Sequence, residues 1–371
     1  MAVTKETPNS AARAVADEFA LPGPIAAVEP FRGGHINDSW LVTAAAAGSA
    51  RFLLQRLNGY VFPRPDLVME NCARVTAHLT EARARDSLPD ADRRALTLVP
   101  TRAGGPAHVN AAGAYWRVLR FIEGTVARDR AESAAEAYEA GRAFGHFQRL
   151  LADYRGPRLH ETIPDFHHTP RRVEALERAV AADRRERGAG ARAEIEAALR
   201  NRPLASALLD RHVRGELPER VVHNDAKMPN VLLDAATGEG LCVVDLDTVM
   251  PGLALYDFGD MARTMASDAA EDATELDAVT VRVDRFAALA RGYLAGSGRL
   301  GAEGDRALLV TAARVITYEQ AVRFLTDYLD GDRYYKTTRP EHNLERCRAQ
   351  LALLDAFTNA EAALTRAVAR P

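Results

Sequence analysis

Apolar and polar positions change their rhythm along this chain. A helix is predicted over residues 9–20. After it the segments IAAVEPF, SWLVTA and RFLLQRL read as strands, short β-favouring runs separated by Gly-Gly and Ala-Gly-Ser breaks. From Asp66 to Ala82, Leu67, Val68, Cys72, Val75 and Leu79 recur at helical spacing behind Pro65, a residue suited to a helix start. ALTLVP, PAHVN and AYWRVLRFI then resume the strand pattern, with Ala103-Gly104-Gly105 as the predicted hairpin turn.

Beyond Glu123-Gly124 the pattern becomes helical, in AESAAEAYEAGRAFGHFQRLLADY, RRVEALERAVAADRRERG, AEIEAALRNR and LASALLDRHVRG. Two short strands, NVLLD and LCVVDLD, interrupt it and are joined through Ala-Thr-Gly-Glu-Gly as a tight hairpin. After Gly259 the chain returns to helices. The expected architecture is α+β: residues 1–122 form a small antiparallel-sheet lobe, and residues 123–371 a larger, mostly helical lobe. Two lobes offer a cleft for a ligand.

Composition narrows the function classes. A length of 371 residues suits about two domains at ~150 residues each. No apolar run approaches the ~18 residues of a membrane span, so no membrane partner is expected. The 48 basic residues nearly balance the 51 acidic ones, and the two signs interleave on the Arg/Glu-rich helices. A nucleic-acid partner is therefore not expected, and any anion must be held by a local site. Cys72, Cys242 and Cys347 form no C-x-x-C pair, and the N-terminus lacks the apolar core of a secretory signal. Both point to the cytoplasm. The oligomeric state is not legible.

The chemistry concentrates in VVHNDAKMPNVLLDAATGEGLCVVDLDTVMPG. His223, Asp225 and Asn230 share a loop ahead of one strand, and Asp245 and Asp247 end the next. Phosphoryl transfer needs a carboxylate to accept the hydroxyl proton, plus an Asn and an Asp to hold Mg²⁺ on the nucleotide phosphates. The order H-x-D-x-x-x-x-N followed by a strand-terminal Asp supplies these parts in a variant of the protein-kinase catalytic-loop signature. Turn-capping roles remain the plainer alternatives for Asp225, Asn230 and Asp245, and a loop-orienting role stands beside metal contact for Asp247. His223 is expected to be structural, bonded to loop backbone or to the Asp after the metal strand.

These residues resemble the aminoglycoside phosphotransferase and choline kinase superfamily, whose fold is the two-lobe protein-kinase-like one and whose metal strand reads D-x-D or D-x-E. Within it, HNDAKMPNVLLD, LCVVDLDTVMPGLALYDFGD, GGHIND and the downstream AVRFLTDYLDGDRYYKTTRPEHNL are similar to the bacterial N-acetylhexosamine 1-kinases. The resemblance implies an ATP- and Mg²⁺-dependent kinase acting on the anomeric hydroxyl of an N-acetylhexosamine. Asp225 would be the base, and Asn230 and Asp245 the metal ligands, with Asp247 as a second contact. In the small lobe it places Gly33, Gly34, Asn37 and Ser39 in the loop over the phosphates, where adjacent glycines let backbone N–H groups approach closely. His35 would lie near the sugar. Asn224, Arg323 and Tyr334 are taken as further substrate contacts, although Arg323 also suits a surface ion pair with Glu319 four residues before it.

One departure stands out. The third strand of these kinases usually carries a Lys or Arg paired with a helix Glu, whereas here it reads Phe52-Leu53-Leu54-Gln55-Arg56-Leu57. Register decides between Gln55 and Arg56. Glu70 fits the helix Glu position, with Arg74 as its alternative partner. Adenine is expected on backbone groups around Phe121-Ile122-Glu123-Gly124. His167 and His168, with His160 nearby, lack a Cys or acidic partner at ligand spacing and are not read as a metal site. An aminoglycoside or amino-alcohol kinase on the same scaffold and a nucleotide-binding pseudokinase scaffold are the competing readings. Cationic acceptors need acidic pockets, and the Arg-, Lys- and Tyr-rich block after Glu319 favours a neutral sugar.

Overall fold

The computed structural model describes residues 8–31, 36–45, 50–86, 90–298 and 303–369. Its chain forms mixed helix and antiparallel sheet, arranged as two compact units. The first comprises residues 1–125 with segments 155–163 and 244–249, and the second takes the remainder.

In the first unit, helix α1 (Pro8–Ala16) precedes strands β1 (Ile25–Pro30), β2 (Asp38–Ala44) and β3 (Arg51–Arg56). Helix α2 (Pro65–Asp86) follows, then β4 (Leu98–Val99), β5 (His108–Val109) and β6 (Tyr115–Arg120). The antiparallel order is β1-β2-β3-β6-β4, with β5 also paired to β6. Strand alternation sorts the side chains into two faces. Trp40, Val42, Phe52, Leu54, Trp116 and Val118 pack with Ala12, Val15 and Ala16 of α1 in one core. Ser39, Gln55 and Arg117 line up across the other face, since Ser39 opposes Gln55 and Gln55 opposes Arg117.

Two expectations change here. Helix α1 stops short of residue 20 because the fully buried Phe19 bridges to Thr101 and the Ala20 N–H donates to the Pro100 carbonyl. The turn around Gly104 forms, with φ 87, yet β4 and β5 make no hairpin. Both lie antiparallel to β6 on different stretches of it, so they run in the same direction and cannot pair as consecutive hairpin arms.

Strand β7 (Thr125–Val126) begins where the main segment of the first unit ends. The second unit then adds α3 (Ala134–Leu151), α4 (Thr169–Ala182), α5 (Arg192–Arg200), α6 (Leu209–Val213) and β8 (Arg220–Val222). The hairpin β9 (Val231–Asp234) and β10 (Gly240–Val243) follows, then β11 (Met250–Gly252), which pairs with β8, and α7 (Ala254–Met265). Helices α8 (Val283–Ser297), α9 (Glu303–Asp330) and α10 (His342–Ala369) complete it. The stripe Val315, Tyr318, Val322, Leu325 and Leu329 of α9 is buried, as its spacing predicts. No described helix is long and apolar enough to cross a membrane.

Helices α3 and α8 meet backbone to backbone through Gly141 and Gly145 on one and Gly292 and Gly296 on the other. A Cβ at Gly292 would stand 2.0 Å from the Tyr138 carbonyl oxygen, and one at Gly141 would stand 2.4 Å from that of Leu289. Gly292→Val is therefore expected to destabilise the protein by ~3 kcal/mol, because rigid backbone must move apart. A shift in urea midpoint measures this. The control Gly190→Ala, whose Cβ would meet nothing nearer than 3.7 Å, should leave the midpoint unchanged.

Candidate active site

In the first unit the row Ser39–Gln55–Arg117 ends on a buried ion pair. Arg117 is 1% exposed and Asp247 3%. Arg117 Nη1 donates to Asp247 Oδ1, while its Nε and Nη2 donate to Gln55 Oε1 at 3.0 and 2.8 Å. Gln55 Nε2 donates to Ser39 Oγ at 3.2 Å. Asp247 Oδ2 accepts from Asn37 Nδ2 at 2.7 Å, and the Asn37 Oδ1 accepts the Asn58 N–H at 3.0 Å. Thr162 Oγ1 ties in the Asp247 carbonyl at 3.0 Å. Both oxygens of Asp247 are thus engaged by protein donors, and Asn37 and Ser39 turn their side chains toward this row. Gly33, Gly34 and His35 lie outside the described residues.

Register settles the strand question. Gln55 shares the face of Arg117, whereas Arg56 lies on the opposite face, exposed, and donates to Asp38. The cation on the inner face is thus Arg117, from β6, which the strand pattern alone did not single out. Glu70 does not meet it. Helix α2 turns Cys72 to the guanidinium, with Nη1 3.9 Å from Sγ, and Glu70 binds Arg74 and His160 Nε2 at 2.8 Å instead. Burial pushes the Cys72 thiol up to about 11, a thiol and not a thiolate. Beside β3, Arg51 stacks 4.7 Å over Phe121 and pairs with the Glu123 carboxylate, while Arg93 donates to the Glu123 and Gly124 carbonyls at 3.1 and 3.0 Å. An open depression of about 760 Å³ adjoins these groups.

In the second unit, β8 delivers His223, Asn224 and Asp225 into a loop held from behind. Asp257, fully buried at the start of α7, accepts the N–H groups of His223 and Asn224 at 3.0 and 2.7 Å, and Gln148 Nε2 at 2.7 Å. This clamp lets Asn224 sit at φ 64, a left-handed conformation that Asn tolerates better than most residues. The buried His223 ring packs edge-on to Phe144 and Phe147, and its Nδ1 faces the Asp225 N–H at 3.3 Å. That contact to loop backbone is one of the two expected of it.

Asp225 Oδ2 meets Lys227 Nζ at 2.8 Å and Asn230 Nδ2 at 3.1 Å. Burial would raise the Asp225 pKa, but the Lys227 charge and hydrogen bond, with His223 and Asn230, outweigh it and hold the carboxyl below its ordinary range. It is a carboxylate at neutral pH. Asn230 Nδ2 also donates to the Asp225 carbonyl at 2.8 Å, which orients Oδ1 as the remaining acceptor. Asp245, in segment 244–249 of the first unit, has φ 63, opens the turn Leu246–Thr248 and carries a hard oxygen donor of its own. An amide oxygen and a carboxylate fit Mg²⁺, which keeps most of its waters and needs few protein ligands.

His167, Glu319 and Thr169 form a buried set against the same loop. His167 Nδ1 lies 2.7 Å from Glu319 Oε1, its Nε2 3.0 Å from the Asn224 carbonyl, and Thr169 Oγ1 donates to Glu319 Oε2 at 2.6 Å. Glu319 is therefore not the ion-pair partner of Arg323. The Arg323 guanidinium sits 4.7 Å over Phe166, 5.7 Å from the Tyr335 ring and 5.8 Å from that of Tyr334, with one long hydrogen bond to Gln320 at 3.4 Å. Asp327 holds the following loop in place by accepting the N–H groups of Arg333, Tyr334 and Tyr335 at 2.9, 2.8 and 3.0 Å. Neither Asp257 nor Asp327 was named from sequence. Each stood inside a string that carried the family resemblance, and that is the only signal that pointed there.

A kinase-like fold with a loop of this kind defines a small-molecule phosphotransferase, and comparison with known proteins agrees. Residues 27–298 match the model of the phosphotransferase enzyme family, and the chain belongs to it. Similar solved structures include a microcompartment-associated aminopropanol kinase, with TM-score 0.65 and 17% identity over 96% of this chain and 98% of that one. An aminoglycoside phosphotransferase from Alicyclobacillus acidocaldarius matches with TM-score 0.62 and 13% identity over 99% and 98%. An amicoumacin kinase in complex with AMP-PNP, Ca²⁺ and its ligand matches with TM-score 0.54 and 13% identity over 88% of each chain.

Proposed function

We infer that this phosphotransferase uses ATP to phosphorylate a sugar hydroxyl, the anomeric hydroxyl of an N-acetylhexosamine. The observation that carries the transfer step is the Asp225–Asn230 loop, an ionised carboxylate beside an amide whose nitrogen is held by Asp225. The acceptor oxygen attacks the γ-phosphorus as its proton passes to Asp225, the new O–P bond forms, and the bond to ADP breaks. Mg²⁺, held by Asn230 and Asp245, would neutralise charge on the phosphates. The nucleotide complex of the amicoumacin kinase supports ATP as donor. Adenine would lie along residues 121–124, and the loop around Gly33 and Gly34 would cover the phosphates.

The arginines of the second unit support a neutral acceptor. Burial, and after it the charge of Arg323, lower the Arg172 pKa, and neither arginine forms an ion pair among the described residues. A cationic acceptor would add a third positive charge there. The exposed Tyr334 and the Phe166 ring offer a pyranose its apolar face, and Arg323 its hydroxyl donor. The similarity to aminopropanol and aminoglycoside kinases favours the second reading, an amino-alcohol or aminoglycoside acceptor.

ADP release over a panel of N-acetylhexosamines, other hexoses, aminoglycosides and amino alcohols separates them. Turnover is expected with an N-acetylhexosamine, with the phosphorus bound at C1 by ³¹P NMR, and none with its 1-deoxy analogue. Turnover confined to the amines would establish the second reading. No ADP release with any acceptor, in a protein that binds nucleotide, would leave a pseudokinase.

A further inference from the structure

Among the described residues, His167 faces two acceptors and no donor. Its Nδ1 lies 2.7 Å from a carboxylate oxygen of Glu319, and its Nε2 lies 3.0 Å from the main-chain carbonyl of Asn224, the residue before Asp225. A neutral imidazole carries one N–H and one lone pair, so one of these contacts would set lone pair against lone pair. Only an imidazolium donates to both. The second oxygen of Glu319 is occupied by Thr169 Oγ1, which leaves the carboxylate aimed at the ring. The three side chains are almost wholly buried, with Glu319 1% and His167 5% exposed. Inside such a site an unpaired donor or acceptor is costly, and a fully satisfied set is rigid.

We propose that His167 is a positioning residue: charged and held by Glu319, it clamps the Asn224 carbonyl and so sets the place of the Asp225 carboxylate. The clamp works with Asp257, which holds the two preceding N–H groups of the same loop, so that the backbone on the N-terminal side of Asp225 is gripped through both its donors and its acceptor. This rests on Asp225 as the base. The charged and titratable groups that act on or touch the ring are Glu319 and Arg323 on α9 and Asp260 and Tyr256 on α7, while Arg172 on α4 acts on Glu319 and Asp225 in the loop acts on Asp260. Burial alone would lower the His167 pKa, but the charge and hydrogen bond of Glu319 outweigh it and the net shift is upward. A raised folded-state pKa means that the clamp is fully present below the ordinary histidine value of 6.5 and is lost as pH rises through the shifted one.

The test combines kinetics with ring-nitrogen NMR on the full chain. His167→Ala is expected to lower kcat by roughly 10–100-fold, the cost of a misplaced catalytic group, with little change in KM for ATP. His167→Gln, whose amide N–H can still reach the carbonyl, should recover most of that loss. In the wild type kcat should fall on the alkaline side. Glu319→Gln should flatten that limb, because the amide can turn to donate to Nδ1 while neutral His167 still donates from Nε2. In ¹⁵N-histidine spectra both ring nitrogens of His167 should show imidazolium shifts at pH 7.

A neutral ring at pH 7, an alkaline limb unchanged in Glu319→Gln, or a kcat in His167→Ala within about threefold of wild type would each overturn the proposal. If His167→Ala does not fold, His167→Gln, Glu319→Gln and the wild-type spectrum decide it. The two failures are separable. Full turnover in Asp225→Asn removes the base reading, whereas loss of turnover there with an unaffected His167→Ala removes the clamp alone.

Discussion

Replacing Asp225 with asparagine is expected to lower kcat by roughly 10²- to 10⁴-fold, the range that a positioned general base contributes. The substitution keeps shape and removes the charge. Its amide oxygen can take the place of Oδ2, which now accepts from both Lys227 and Asn230, so the loop should keep its conformation. Nucleotide affinity should stay near that of the wild type, because the residue is asked to bind a proton and not a phosphate. Steady-state ADP release, with calorimetric titration of a non-hydrolysable ATP analogue, reads both quantities. Because the Asp225 pKa is held below its ordinary 3.8, its carboxylate persists as pH falls, and a loss of activity between pH 7 and 5 would have another source. Turnover within about threefold of wild type would show that Asp225 is not the base.

The second large effect is expected at Arg117. In Arg117→Met the Asp247 carboxylate would stay buried with its charge uncompensated, at a cost of ~3–5 kcal/mol. The amide of Asn37 would still reach Asp247, but a neutral donor does not balance a buried charge. Arg117→Met with Asp247→Leu removes the charge as well and should regain most of the loss, since a buried pair replaced by apolar side chains is often close to neutral. The chain has two tryptophans, and Trp40 and Trp116 lie 5.3 Å apart in the sheet that carries Arg117. Their fluorescence in urea therefore reports on the first unit. A loss below about 1 kcal/mol would place the pair with exposed ion pairs, where solvent screens the interaction.

How far these features could be read from sequence depended on how local they are. Strands β1, β2, β3 and β6, helix α2 and the β9–β10 hairpin follow from alternation, helical spacing and turn residues within windows of a few residues. The loop from His223 to Asn230 was equally legible, because its chemistry is compressed into eight positions. Pairings across long separations were not. Nothing near Arg117 announces Asp247, 130 residues away, or near His167 announces Glu319, 152 residues away. The turn at Gly104 was seen but its partners were mistaken, since a turn signal states that the chain reverses and not which strand receives it. Glu70 and Arg56 were reasonable candidates from position. A rotation of α2 that presents Cys72, and a register that presents Gln55, sent them elsewhere.

The sequence by itself determined the elements, the family signature and the order of the groups that phosphoryl transfer requires, because these are properties of neighbouring residues. Tertiary structure alone decided which polar groups are held and by what. Burial obliges each donor and acceptor to find a partner wherever the fold brings one, and so Arg117 rather than a third-strand cation meets Asp247, Asp257 grips the loop backbone, and His167 bridges Glu319 and the Asn224 carbonyl.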